Sequence, residues 1–181
     1  MRESGIQKGD RVGIIISDTY QHLLAMLALI SLDCSQFAVS ATDAESTHEE
    51  IMKRLKPCRR IVDRDERESD CLLLQINTVD SVPPGRVFES QDHPVGALIF
   101  SSSGTTGDPK LISYPHARSP EWLYLDMVPG AVFYQSLPLH FNIARRQVLR
   151  VLASGGTLVD GSRRGIDAFL LLQRKFKVTP D

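Results

Sequence analysis

The sequence predicts an α/β fold in which a doubly wound sheet forms the middle of three layers. Two kinds of segment alternate along the chain and lead to this prediction. Nearly continuous apolar segments such as residues 11–17 and 97–100 are typical of parallel strands buried on both faces. Segments with apolar residues at helical spacing, such as residues 19–32, lie between them. Because parallel strands need crossover connections, the alternation favours right-handed βαβ units.

Local signals predict the individual elements. N-cap chemistry predicts helix starts within Ser17-Asp18-Thr19, at Ser46 and at Asn142. A fourth helix has Asp167 in its first turn, and Gly155 ends the third. The apolar side of the first helix is predicted to consist of Leu23, Leu24, Leu27, Ala28 and Leu32. Further strands are predicted at residues 37–39, 60–62, 71–76, 111–114, 132–137 and 157–159.

Composition argues against several classes of function. The 181 residues are 42% hydrophobic and 24% charged, which is typical of a soluble globular domain. The net charge of −1 provides no basic field, so nucleic-acid binding is not expected. The longest apolar run, residues 23–32, is too short to span a bilayer, and a cytoplasmic location is expected. Cys34, Cys58 and Cys71 fit no metal-ligand spacing and are expected to be mostly buried thiols.

The strand at residues 97–100 leads directly into residues 101–110, which read Ser-Ser-Ser-Gly-Thr-Thr-Gly-Asp-Pro-Lys. Glycines let backbone N–H groups approach an anion, hydroxyls donate further hydrogen bonds, and the lysine supplies a positive charge. A generic surface turn uses the same small residues but rarely lies between a buried strand and a lysine. A Walker A loop is excluded because the glycines are three apart and Leu111 follows Lys110. The segment therefore predicts a polyphosphate site.

Residues 99–110 resemble the signature of the adenylate-forming superfamily, which includes acyl-CoA synthetases, luciferases and the adenylation domains of nonribosomal peptide synthetases. The resemblance implies ATP-dependent activation of a carboxylic acid, such as a fatty acid or an amino acid, as an acyl-adenylate. CoA or the thiol of a carrier protein would then accept the acyl group. The implied fold is a fragment of the acetyl-CoA synthetase-like N-terminal domain, so that residues 1–181 form a partial AMP-binding domain. Within it, residues 1–64 would be a βαβα unit and residues 97–181 a phosphate-loop unit, joined by residues 65–96.

The resemblance also implies roles for particular residues. His116 is similar to the family's histidine shortly after the loop and, with Lys110, is expected to act in catalysis. His140 and Phe141 resemble, in reversed order, a Pro-x-Phe-His segment near the acyl pocket, and are expected to bind the substrate. The residues expected to hold the phosphates of ATP are Ser102, Ser103, Gly104, Thr105, Thr106, Gly107 and Lys110.

The sequence departs from the family pattern in several places. Leu111 stands where the family usually has glycine, and Asp33 opens a segment that replaces a Gly-Ala-type turn. The family's base and ribose segments, its magnesium-binding glutamate and its C-terminal domain match positions beyond Asp181. Magnesium ligands are therefore expected outside this chain, which would need a complementary chain for catalysis. The alternative is a non-catalytic module, or a remnant of such a domain, that binds a nucleotide or a protein partner.

Overall fold

The computed structural model describes residues 5–57, 59–62, 75–78, 96–102, 110–115, 129–161 and 166–179. The chain divides into two compact units, residues 1–117 and residues 118–181. Within the described ranges, every helix is too short or too polar to cross a membrane.

The first unit is built on a sheet of six strands in the order β4-β3-β1-β2-β5-β6. The four central strands, β3, β1, β2 and β5, run parallel to one another, whereas β4 and β6 pair antiparallel at the two edges. The predicted parallel α/β sheet is therefore confirmed. Its elements are β1 (Arg11–Ile15), α1 (Thr19–Ser31), β2 (Ser35–Ala38), α2 (Glu45–Leu55), β3 (Arg59–Val62), β4 (Gln75–Thr78), β5 (Ala97–Ser102) and β6 (Lys110–Pro115).

Helices α1 and α2 cover opposite faces of this sheet. The side-chain amide of Gln36 in β2 donates to the carbonyl of Met26 at 3.0 Å, which places α1 against one face. The next residue, Phe37, belongs to a buried cluster that includes Leu55 of α2 and Ile99 of β5. Because neighbouring residues of a strand point to opposite faces, α2 lies on the other side. The first unit thus has the three predicted layers.

The start of α1 agrees with the prediction, but its buried face does not. The Asp18 carboxylate accepts the Gln21 N–H at 2.8 Å and caps the helix. Leu24 and Leu27 of the predicted apolar side are exposed. Because apolar residues occur on every side of this helix, their spacing does not identify the side that packs. The residues buried in its place are Gln21, His22, Ala25, Met26 and Leu29.

The second unit contains a two-stranded sheet, in which β7 and β8 pair in parallel with Val132 opposite Thr157. On one side of the sheet, Phe169 packs edge-on against Tyr134 with ring centroids 4.8 Å apart. Strand β7 ends at Gln135, two residues before its predicted end. The elements of this unit are β7 (Val132–Gln135), α3 (Asn142–Ala153), β8 (Thr157–Asp160) and α4 (Ile166–Phe176).

Two of the predicted helix caps are wrong. Helix α2 begins at Glu45, so Ser46 lies inside its first turn. Helix α3 begins at Asn142, and the N-cap position is taken by Phe141, which makes no side-chain cap hydrogen bond. The apolar spacing thus located both helices, but the cap chemistry misplaced their first residues. Cys34 is buried and forms no disulfide within the described ranges, while Cys58 and Cys71 lie outside them.

Candidate functional site

Strands β5 and β6 form a hairpin that holds the two ends of the predicted phosphate segment. Its register places Ser102 opposite Lys110 and Ser101 opposite Leu111. The structure therefore brings together the first and last residues of the predicted phosphate site. The predicted contacts between them, and the predicted catalytic histidine, lie outside the described residues: Ser103, Gly104, Thr105, Thr106, Gly107 and His116.

Packing on both faces of the sheet holds the hairpin in place. On one face, the partly buried side chain of Leu111 packs against the cluster that contains Phe37 and Ile99. On the other face, the rings of Phe100 and Tyr114 meet edge-on with centroids 5.7 Å apart. Leu111, which stands where the family usually has glycine, is thus an ordinary strand residue that anchors β6.

The hairpin positions the segment at the edge of the sheet where ligands commonly bind. Because β5 is parallel to β2, Ser102 lies at the edge where the other parallel strands also end. At the same edge, beyond β2, the hydroxyls of Ser40 and Thr42 are hydrogen-bonded at 2.8 Å. After β1 the chain crosses one face of the sheet through α1, and after β2 it crosses the other face through α2. In open α/β sheets, ligands bind outside the carboxyl ends of the strands at such a switch in direction.

The predicted substrate residues lie in the second unit, immediately before and at the start of α3. The rings of His140 and Phe141 are in contact, with centroids 4.2 Å apart and planes tilted by 42°. The Phe141 N–H donates to the Pro138 carbonyl at 3.1 Å, and its carbonyl accepts the Arg145 N–H at 3.2 Å. With 47% of its surface exposed, Phe141 can contact a ligand while its backbone is held by these bonds.

Three polar residues near this segment have buried polar groups that the sequence did not predict. The side-chain amide oxygens of Gln135 and Asn142 are buried and have no hydrogen-bond partner among the described residues. Leaving such an acceptor unsatisfied costs about 1–3 kcal/mol, so both are candidates for a ligand contact. Arg145 is fully buried, and desolvation lowers its pKa to about 9. In the sequence, its burial was indicated only by its position between Ala144 and Val148, which lie on the buried side of the same helix.

The magnesium ion that the resemblance implies lacks a cluster of protein ligands in the described part of the chain. Within those ranges, no group of three His, Cys, Asp or Glu side chains could hold a metal ion. Lys110 belongs to the first unit, whereas His140 and Phe141 belong to the second.

Solved structures of adenylate-forming enzymes share this fold. The N-terminal subdomain of Klebsiella oxytoca NpsA in complex with 3-hydroxybenzoyl-AMSN matches with a TM-score of 0.74 at 20% identity, covering 98% of this chain and 48% of that one. Bacillus subtilis o-succinylbenzoate CoA synthetase (MenE), in complex with the acyl-adenylate OSB-AMP, matches with a TM-score of 0.74 at 15% identity, covering 98% and 50%. The chain therefore spans about half the length of these solved relatives.

Two synthetases are among the relatives found by sequence comparison. Fusarin C synthetase of Gibberella fujikuroi is 22% identical over 173 residues, which make up 88% of this chain and 4% of that synthetase. The polyketide synthase-nonribosomal peptide synthetase pyiS of Pyricularia grisea is 23% identical over 172 residues, with 85% and 4% covered. The family described as AMP-binding enzyme matches residues 1–179, nearly the whole sequence. The chain belongs to the AMP-binding enzyme family.

Proposed function

We propose that this chain supplies the phosphate-binding part of an enzyme that uses ATP to activate a carboxylic acid as an acyl-adenylate. The observation that carries the proposal is the hairpin register, which pairs Ser102 with Lys110 at the carboxyl edge of the parallel sheet. A segment rich in glycine and hydroxyl residues joins these two positions. Backbone N–H groups, hydroxyls and one lysine are the groups that hold a polyphosphate.

The proposed reaction needs no nucleophile from the protein. A carboxylate oxygen of the substrate forms a bond to the α-phosphorus of ATP, the bond from that phosphorus to the bridging oxygen breaks, and pyrophosphate leaves. Negative charge develops on the leaving pyrophosphate, so catalysis depends on positioning and on nearby positive charge. Lys110 would stabilise that charge, while residues 102–107 would hold the β- and γ-phosphates. His116, six positions after Lys110 in the sequence, is proposed to contact the same ligand.

We propose that the acid binds in the second unit beside α3. Phe141 offers an exposed ring in contact with His140, which suits an apolar or aromatic acyl group. The buried amide oxygen of Asn142 would accept a hydrogen bond from a donor on that group. The complexes of NpsA with 3-hydroxybenzoyl-AMSN and of MenE with OSB-AMP show that relatives of this fold accept aromatic acyl groups. CoA or a carrier thiol would take the acyl group in the next step.

ATP binding by the Lys110→Ala variant tests the phosphate site. Hydrogen bonds to charged groups contribute about 1.5–3 kcal/mol, so we expect ATP to bind about tenfold to a hundredfold more weakly by calorimetry. Lys53→Ala is the matched control, because Lys53 is an exposed lysine near the C-terminal end of α2 and its variant should bind ATP normally. Equal ATP affinity in the Lys110→Ala variant and the wild type would contradict the assignment.

Exchange of labelled pyrophosphate into ATP tests the reaction itself. We expect exchange that depends on an added carboxylic acid when a polypeptide with the remaining half of an adenylation domain is present. The second candidate is a module that binds nucleotide without chemistry, through the same pairing of Ser102 with Lys110. ATP binding without exchange under any combination of acid and complementary polypeptide would support that module and contradict the ligase.

A further inference from the structure

Asp33 lies at the amino edge of the first sheet, where the parallel strands begin, and contacts three separate segments of the chain. Its carboxylate forms an ion pair with Lys8 at 3.0 Å, and its carbonyl accepts the Gly9 N–H at 3.2 Å. Its N–H donates to the carbonyl of Ile30, near the end of α1, at 3.0 Å. The carboxylate also lies against Gly96, the residue before β5. Asp33 therefore joins the approach to β1, the end of α1 and the start of β5.

The contact between Asp33 and Gly96 leaves no room for a side chain at position 96. A Cβ on Gly96 would lie 2.9 Å from the carboxylate carbon of Asp33 and 3.4 Å from its carbonyl oxygen. A slip of β5 by one residue in either direction would bring Val95 or Ala97 to this position, and each of them carries a Cβ. Because hydrogen bonds hold the backbone of Asp33 on both sides, its carboxylate opposes such a slip.

The position of the phosphate hairpin depends on this register. In the described sheet, β2 joins the hairpin of β5 and β6 to the other strands. Its pairs with β5 are Gln36 with Leu98 and Phe37 with Ile99. A slip by one residue would move Ser102 by about 3.3 Å and turn the buried side chains of β5 to the other face. The contact at the start of β5 therefore bears on the site at its end.

We propose that Asp33 is a positioning residue for the phosphate segment. Through Gly96 it holds β5 in register with β2, and so fixes the position of Ser102 about 20 Å further along the strand. Asp33 has φ 55, a conformation that glycine adopts without strain. A strained residue persists where the surrounding structure holds it, and it often marks a functional role. The aspartate costs backbone strain here, and its contact with Gly96 is what glycine could not provide.

The inference rests on the proposed function, and ATP binding by the Asp33→Gly variant tests it. Glycine relieves the strain at position 33 but removes the carboxylate from Gly96. We expect a midpoint of urea unfolding close to that of the wild type, together with ATP binding about threefold to tenfold weaker by calorimetry, because small displacements of positioned groups are costly. Lys56→Gly is the matched control, since it also relieves a positive φ after a helix of the first unit and should bind ATP normally.

The Asp33→Asn variant separates shape from charge. Asparagine has nearly the same size as aspartate and tolerates the left-handed conformation, so it keeps the contact with Gly96 and loses the charge that pairs with Lys8. It should therefore bind ATP as the wild type does. Weakening equal to that of Asp33→Gly would overturn the inference, because the charge would then act in place of the contact.

A double-mutant cycle tests the contact from the other side. Gly96→Ala should weaken ATP binding in the wild type, and should weaken it less in Asp33→Gly, where the added Cβ meets no carboxylate. The same loss in both backgrounds would overturn the inference. So would wild-type affinity in Asp33→Gly while Lys110→Ala binds weakly, a result that leaves the phosphate site intact. If Lys110→Ala binds ATP as the wild type does, the proposed function fails and this inference fails with it.

Discussion

The two sheets of this chain differ in how their strands are enclosed. In the first unit, four parallel strands lie between antiparallel edge strands, with α1 and α2 on opposite faces. In the second unit, the described residues include two parallel strands that share one ladder, and Thr179 is hydrogen-bonded to Val132 of β7. The second unit also exposes apolar side chains of α4, namely Leu170, Leu171 and Phe176. The first sheet can thus support its hairpin from its own packing, whereas the described residues of the second sheet form a single ladder.

The largest expected effect comes from removing the ring that joins the layers of the first unit. Phe37→Ala empties the centre of a buried cluster formed with Val39, Leu55 and Ile99. Such a truncation typically costs about 3–5 kcal/mol of unfolding free energy. Urea unfolding followed by circular dichroism measures it. Ile112→Ala, on the exposed part of β6 in the same sheet, should cost much less. Equal losses in the two variants would mean that the cluster does not support the sheet.

A glycine pair tests whether the second unit is tightly packed. A Cβ on Gly156 would lie 2.7 Å from the Ala131 carbonyl oxygen and 3.0 Å from that of Val151. Backbone atoms cannot move aside as a flexible side chain can, so Gly156→Ala should lower the unfolding free energy by about 1–3 kcal/mol through overpacking. The neighbouring Gly155 has φ +73 with open space around it, so Gly155→Ala should cost about 1 kcal/mol from backbone strain alone. A smaller loss for Gly156→Ala than for Gly155→Ala in urea unfolding would indicate loose packing of α3 on its sheet.

Arg145 makes the stability of the second unit depend on pH. Burial lowers its pKa to about 9, well below that of a solvated guanidinium. Below both values the cation is buried in the folded state, and its desolvation cost is fully present. As the pH rises above about 9, the unfolded chain holds the proton more tightly than the folded one, so the unfolding free energy rises.

The Arg145→Met variant isolates this effect. Between pH values of about 8 and 10, the wild type should gain about 1.4 kcal/mol over Arg145→Met in urea unfolding, since each pH unit above the folded pKa contributes that amount. Arg146→Met, which removes a half-exposed guanidinium from the same helix, controls for the loss of one positive charge. If the difference in unfolding free energy between the wild type and Arg145→Met stays constant over this range, Arg145 remains protonated in the folded state and does not make the stability depend on pH.

Most of the first unit could be predicted from the sequence, because buried parallel strands leave unbroken apolar segments. The strands on either side of the phosphate segment were predicted for the same reason, since both Phe100 and Leu111 pack into the sheet, but their antiparallel pairing was not. Apolar periodicity failed for α1, which has apolar residues on every side, so contacts with Gln36 of β2 decide which side is buried. In the second unit, the end of β7 was misplaced because a strand's length depends on what pairs with it. The burial of Arg145 was not predicted because burial of a charge is decided by tertiary packing.

Helix ends were also only partly predictable. Gly155, with φ +73, ends α3 as predicted, but three residues that are not glycine adopt positive φ after the other helices: Asp33, Lys56 and Lys177. A left-handed residue with a Cβ is strained, so sequence rules look for glycine there. Asp33, in the segment that replaces a Gly-Ala-type turn, has φ 55 and forms an ion pair with Lys8 at 3.0 Å. That departure from the family pattern thus carries strain, whereas Leu111 carries none because it lies in a strand.

The smallest expected effect compares the ends of α2 and α4. Lys56 and Lys177 are exposed, with φ values of 42 and 50, so replacing either by glycine relieves strain. Each variant should be stabilised by up to about 1 kcal/mol in urea unfolding, whereas Lys53→Gly within α2 should be destabilised by a similar amount. The carbonyl of Leu55 is held by Arg11 at 2.8 Å, which fixes the end of α2 within the first unit. If Lys56→Gly stabilises and Lys177→Gly does not, the end of α4 is frayed, and Thr179 is not held beside β7. Equal gains would mean that the ends of α2 and α4 are equally well formed.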